Sequence, residues 1–312
     1  MAAYCARRLA ASCVTLLAGA TMIFLMVHVI PGDPVAALLQ DQYTQETYAA
    51  TRARLGLDRP LGSQYVTFLE NLVSARLGIS FRSDRSVAQI IGEQFPYTAQ
   101  LAVAAVALAA GVGIPLGMIA AAHRGRPVDY LTMGAALLAL CVPSFVMGLG
   151  LLLVFSFRLG WFPTIGPGGV TSVESARALV LPTVVLGLRT AALLSRIGRS
   201  SMLNVLNRDF VRTARAKGLT AGRVLYKHAL RNALLPVITI LGVTLGQLLA
   251  VTAIVEIVFS RPGIGRLLVD AVLSRDLPQI QGTLVVFLLI VIVVNTLVDV
   301  AYSMADPRIT YS

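Results

Sequence analysis

Six long apolar runs dominate this chain, near residues 9–30, 97–121, 130–157, 178–195, 233–258 and 283–303. At a rise of 1.5 Å per residue, roughly 20 helical residues cross a hydrocarbon layer about 30 Å thick, so each run is long enough to span a bilayer. No water is present there to satisfy N–H and C=O groups, so a spanning segment that makes its own backbone hydrogen bonds must be helical. The runs therefore predict an all-α polytopic membrane protein with six transmembrane helices. Composition agrees: 56% of the 312 residues are hydrophobic and 13% are charged, against about 25% charged in soluble domains, and the mean hydropathy is +0.78. Pro115, Pro143 and Pro182 fall inside runs, where neighbouring helices can re-satisfy a freed carbonyl.

The first run is expected to stay as an anchor. Arg7 and Arg8 give it a basic start, but the apolar stretch from Leu9 to Ile30 exceeds the roughly 7–15 residues of a cleaved signal core. Pro31-Gly-Asp-Pro34 follows it in place of a small-x-small cleavage site. Placing the N-terminus inside puts 14 cations and three acids in the cytoplasmic segments, against 11 cations and 10 acids outside. The excess positive charge then lies on the cytoplasmic face, as expected of an even number of spans with both termini cytoplasmic. An isoelectric point near 10.2 thus reflects topology and does not call for a nucleic-acid partner. This divides the chain into an anchor helix (1–30), an outer segment (31–96) and a five-helix core (97–312). The core carries a cytoplasmic loop at 199–232 and an outer loop at 259–282. Within the outer segment, Gln45–Leu55 and Leu61–Leu72 pattern as short amphipathic helices, with a turn at Gly56-Leu-Asp-Arg-Pro60 between them.

The cytoplasmic loop is the most distinctive segment. From Arg212 to Pro236 it holds both of the chain's lysines and reads as two short helices broken at Gly218. A helix near Asn207–Lys217 would place Phe210, Val211 and Ala214 on one small apolar face flanked by arginines, with Gly218 permitting a sharp turn. Two readings suit such a helix: a docking surface for a soluble partner, or a basic helix lying on anionic lipid.

Catalytic patterns are missing. Lys217 follows Ala216 and Lys227 follows Tyr226, so neither sits in the glycine-rich loop that cradles phosphates. His28, His123 and His228 have no metal-ligand spacing, and there is no nucleophile elbow. Cys5, Cys13 and Cys141 lie at or within the runs and read as apolar packing residues. No metal, cofactor or enzymatic activity is expected of the chain itself.

Thr213-Ala-Arg-Ala-Lys-Gly218 followed by Leu234-Leu-Pro236 resembles the EAA loop of ATP-binding-cassette importer permeases. Arg212 and Thr213 stand where the general motif has Glu and Ala, a variant similar to that of the dipeptide/oligopeptide permeases. Pro31-Gly-Asp-Pro34, Gly56-Leu-Asp-Arg-Pro-Leu61, Phe259-Ser-x-Pro-Gly-Ile-Gly265 and Asp299-x-x-Tyr302 with Asp306-Pro-Arg-Ile309 resemble the first (B-type) membrane subunit of that family. Arg261 replaces the aromatic or apolar residue expected there. The resemblance runs end to end and implies a type I importer permease in a bacterial plasma membrane. It implies as partners a second homologous permease, two ATPase subunits or one fused ATPase, and an extracytoplasmic substrate-binding protein. ATP and Mg would be bound by the ATPases. It further implies that Phe210, Arg212, Thr213, Ala214, Ala216, Lys217, Gly218 and Leu219 couple to an ATPase. Di- or oligopeptides are the implied substrates, with nickel complexes, glutathione or haem as alternatives.

Three ionisable residues, Arg189, Glu256 and Asp299, fall within runs, each at a cost of about 2.5–3.5 kcal/mol on insertion scales. Arg189 and Asp299 lie at similar depths and suit either a structural ion pair or a substrate contact. Glu256 suits either a solvated helix end or the outer mouth of the path. Pro262, Gly263 and Gly265 pattern as a tight turn and, with the 31–96 segment, as a docking rim for a binding protein. A stand-alone secondary transporter is the competing class, but it would have no use for the basic loop.

Overall fold

The computed structural model describes residues 2–29, 33–39, 44–165 and 172–305, with the backbone alone described at a number of these positions, Arg215, Lys227, His228 and Asp299 among them. Pro31, Gly32 and the Asp306–Ile309 motif lie outside the described residues. Helices carry most of what is described, and an isolated antiparallel bridge between Ile79 and Ser86 is the one β-pairing recorded among these residues. Among the described residues, four helical stretches are long and apolar enough to cross a membrane: Ala10–Val29, Val87–Ala122, Val173–Leu206 and Leu277–Val298.

The third apolar run departs from the expected single helix. It forms α6 (Pro127–Cys141) and α7 (Ser144–Leu151), the latter continuing as π turns over Leu152–Arg158, and the two halves meet at 101°. Pro143 is the cause. It has no N–H to donate into the preceding turn, and its ring excludes the helical conformation from the residue before it. Val142 is accordingly extended, at φ −76°, ψ 122°. Pro182, by contrast, is accommodated inside α8 (Val173–Leu206). The second short helix expected after Gly218 is also corrected. It is α10 (Ala221–Arg223), which passes through π turns (Val224–Ala229) directly into α11 (Leu230–Val258), so the fifth helix begins well before residue 233.

The chain divides into two compact units. One comprises Met1–Pro96 and Pro262–Val293. In it α1 (Ala2–Val29) is joined by α2 (Pro34–Leu39), α3 (Gln45–Arg54) and α4 (Leu61–Val73). The two amphipathic helices thus form where the sequence places them. Thr44 caps α3 in a reciprocal capping box with Thr47, and Gly56 closes it at φ +69° while Leu57 N–H donates to the Arg52 carbonyl. α4 lies along the C-terminal half of α1. Tyr65 and Thr21 hydroxyls bond at 2.8 Å, Gln64 meets His28 at 3.2 Å, and Phe24 packs on Tyr65 and Phe68.

The outer loop 259–282 proves largely helical, holding α12 (Ile264–Leu273) and the start of α13 (Leu277–Ala305). Asp276 caps α13 by accepting from Gln279 N–H, and it also accepts from Ser80 Oγ (2.5 Å) and Phe81 N–H (3.1 Å). One carboxylate therefore ties the bridged Ile79–Ser86 loop to a helix start nearly two hundred residues away.

The other unit comprises Tyr97–Arg261 and Val294–Ser312. Its core is built where α8 packs on α11, α6 and the inner part of α5 (Val87–Ala122). Glycines set the α5–α8 spacing. A Cβ on Gly113 would stand 2.5 Å from the Ala191 carbonyl, one on Gly117 2.6 Å from the Ser195 carbonyl, and one on Gly187 3.1 Å from the Ala105 carbonyl. Gly113-x-x-x-Gly117 thus lets two backbones approach as small residues do in membrane bundles.

Candidate functional site

α9 (Asp209–Ala216) follows α8 after only Asn207 and Arg208. Its end is a Schellman closure: Gly218 adopts φ +78°, and Leu219 N–H donates back to the Ala214 carbonyl at 3.4 Å. The Leu219 side chain then joins Val211, Ala214 and Val224 in a small core with Val205 and Leu206. The expected apolar face is therefore corrected. Val211 and Ala214 are buried against this chain and hold α9 to the ends of its neighbours. Phe210, Arg212, Thr213, Ala216 and Lys217 are the residues left on the exposed side. Arg212 makes a loose 3.6 Å pair with Asp209, both largely in solvent, worth little.

Close by is an ion pair that the sequence did not single out. Arg199 grips Asp129 with two parallel bonds, Nε to Oδ1 at 2.5 Å and Nη2 to Oδ2 at 2.6 Å, and Gly125 N–H donates to the same carboxylate at 3.0 Å. Such a fork holds orientation as well as charge. Pro127 opens α6, and Asp129 sits in its first turn, where the helix dipole favours an anion. Reading Pro127-x-Asp129 as a helix start would have drawn attention to this carboxylate.

The intramembrane charges fall into different places. Glu256 is fully buried and accepts from Thr98 Oγ1 at 2.6 Å, which overturns the solvated-end reading. The backbone N–H of Arg261 donates to the Glu256 carbonyl at 2.8 Å, with Ser260 between them at φ +47°. The Arg261 side chain is itself buried, within electrostatic reach of Glu256, and its Nε and Nη2 have no hydrogen-bond partner among the described residues. The residue that departs from the expected aromatic thus places a buried cation within electrostatic reach of the buried carboxylate. Arg189 is exposed at the middle of α8, and no described residue bonds to it; the Asp299 side chain lies outside the described residues. The Pro262–Gly265 tight turn is also corrected. The reversal occurs at Phe259–Arg261, Gly263 is extended (φ 165°) as the N-cap of α12, and Gly265 is buried in its first turn. In its own unit the outer segment borders a half-open cavity of about 660 Å³, lined in part by Phe24, His28, Arg54, Arg59 and Arg76.

This is the architecture of a helical membrane protein that carries a short, partly exposed helix just after α8, and it holds no constellation for bond chemistry among the described residues. The chain belongs to the binding-protein-dependent transport system inner membrane components: that family's model matches residues 113–311, and the model of its N-terminal part matches residues 1–102. It is 39% identical over 308 residues to the glutathione transport system permease protein GsiC of Escherichia coli K12, covering 99% of each chain. It is 40% identical over 313 residues, covering all of both, to a protein of Brucella abortus named as a peptide transport system permease. Among solved structures, a chain of the MetNI methionine ABC transporter in an inward-facing conformation matches 70% of this chain and 97% of its own, with a TM-score of 0.59 and 16% identity. The chain is accordingly a multi-pass inner-membrane permease subunit of an ABC importer and not an enzyme.

Proposed function

We propose that this chain is the B-type permease of a peptide importer and forms half of its translocation path. The observation that carries this is the end-to-end identity, near 40%, to glutathione and peptide permeases. The six spans are α1, α5, the bent α6–α7 pair, α8, α11 and α13, with both termini cytoplasmic; the distribution of arginine supports that orientation. A second permease completes the path. Two ATPases, or one fused ATPase, hydrolyse Mg-ATP and dock on the exposed side of α9 through Phe210, Arg212, Thr213, Ala216 and Lys217, while Val211, Ala214 and Leu219 hold that helix in place and Gly218 sets its angle. An external binding protein delivers substrate to the outer segment and to α12, where Pro262, Gly263 and Gly265 form its base. Glu256, Asp299 and Arg189 are the charges nearest the path.

Reconstitution with the partner subunits tests the reading. ATP-dependent accumulation of a small peptide or glutathione in proteoliposomes is expected, and it should be lost without the binding protein. Accumulation that persists without ATP would instead identify a stand-alone carrier.

A further inference from the structure

The inner half of α8 carries a polar stripe that no feature of the isolated chain explains. Arg189, Arg196, Ser200 and Asn204 are exposed, and Leu193 is partly so. Their spacing of four, three, four and four residues keeps them on one helical face over about 22 Å. The opposite face, with Ala191, Leu194, Ser195 and Met202, is buried. Among the described residues neither Arg189 nor Arg196 has a hydrogen bond or ion pair, in contrast to Arg199 on the adjoining face, which is committed to Asp129.

Three environments could meet such a stripe. Lipid is unfavourable, because an arginine at mid-span costs several kcal/mol. A packed helix–helix seam is built differently on this same helix: where α8 meets α5, the contact is made through Gly113, Gly117 and Gly187. Water suits an unpaired cation at mid-helix that continues through Ser200 and Asn204 to the helix end. We infer that the Arg189–Asn204 face of α8 lines an aqueous lane and that Arg189 and Arg196, about 10 Å apart along the helix, attract and pass on the carboxylate of an anionic or zwitterionic peptide. This rests on the permease reading above and adds the substrate group that the path selects: a free carboxylate.

A thiol at Leu193 samples the space between the two cations, about 6 Å from the level of Arg189 and 4.5 Å from that of Arg196. In the assembled complex, with Cys5, Cys13 and Cys141 replaced by serine, Leu193→Cys is labelled with a sulfonate-bearing and a trimethylammonium-bearing methanethiosulfonate, and modification of this chain is read by mass. The anionic reagent should react about 10-fold faster, and adding Arg189→Gln and Arg196→Gln should bring the ratio near one. Arg189→Gln alone should raise the KM for glutathione uptake several-fold with binding-protein-stimulated ATPase activity retained, and Arg189→Lys should largely restore it. A Leu193→Cys thiol inert to both reagents, or an anion preference that survives both Gln substitutions, overturns the lane while leaving ATP-driven uptake intact. Loss of ATP-driven uptake in the unsubstituted complex would strike the permease reading instead.

Discussion

Replacing Gly113 with alanine probes the closest contact in the helical core. The added Cβ would lie 2.5 Å from the Ala191 carbonyl oxygen and 2.9 Å from its Cα. Both are backbone atoms and cannot rotate aside. Ordinary contact begins at 3.4 Å, so α5 and α8 must part by about 0.9 Å, the difference between 3.4 and 2.5 Å. A gap of that order forfeits a quarter to a half of each dispersion contact along the seam, and overpacking of this kind costs about 1–3 kcal/mol. Alanine in a helix returns roughly 0.5–1 kcal/mol relative to glycine, leaving a net loss of about 0–2.5 kcal/mol, centred near 1 kcal/mol. Gly111, two residues earlier on α5, meets nothing within 4 Å, so Gly111→Ala keeps the helix gain without the clash. Thermal melting of the detergent-purified complex, followed by size-exclusion recovery, should fall by several degrees for Gly113→Ala and hold or rise for Gly111→Ala. Equal melting of the two variants would refute the tight-seam reasoning.

Gly218 meets nothing within 4 Å, so the strain in Gly218→Val comes first from its φ of +78°, at roughly 1–2 kcal/mol. Binding-protein-stimulated ATPase activity should uncouple from uptake while membrane insertion is unchanged, and full uptake by the variant would count against α9 as the coupling element. Asp129→Ala leaves the Arg199 fork without its partner and should cost about 1.5–3 kcal/mol, read as lower recovery after heating; Asp129→Glu should recover part of it. In the outer segment burial acts to raise the Asp33 pKa, but the Tyr48 hydroxyl, the Val35 and Ala36 amides and the Arg52 charge outweigh it and hold the carboxyl below 3.8. The stability this adds is present above pH 3.8 and lost as pH falls through the lower folded-state value. Cleavage of the α2–α3 segment by an acid-active protease should therefore be faster in Asp33→Asn than in wild type at pH 5, with the difference shrinking below pH 3.8; a constant ratio would remove Asp33 from the account.

Much of the architecture was legible because it depends on local chemistry. Apolar length foretold the four long apolar helices and the bent α6–α7 pair found among the described residues, and the Gly56–Pro60 punctuation separated α3 from α4 where the structure separates them. Gly218 announced its own turn. What the residues concealed was which side of an element faces inward. Phe210, Val211 and Ala214 form one apolar face on a helical wheel, yet only the surrounding core of Val205, Val224 and Leu219 decides that Val211 and Ala214 point in and Phe210 out. Partners distant in sequence were equally hidden: 158 residues separate Thr98 from Glu256, and 70 separate Asp129 from Arg199. Pro143 carried enough information to break the third span. Whether a proline kinks, ends or merely sits in a membrane helix depends on neighbours that can re-satisfy the backbone, as Pro182 in α8 illustrates.

The length of α8 bears on how a docking event could be felt at depth. Thirty-four residues make an unbroken rod about 51 Å long, some 20 Å more than a hydrocarbon layer, with α9 fastened two residues beyond its tip and Arg189 at its midpoint. A rod pivoting near its centre by roughly 10° swings each tip through about 4 Å, given its half-length of about 25 Å. The fulcrum itself barely shifts, so Arg189 would hold its depth while the lower stations Arg196 and Asn204 sweep outward. An ATPase pulling on α9 would then widen or narrow the inner end of the lane like the jaw of a pair of tongs, without disturbing the charge at the hinge.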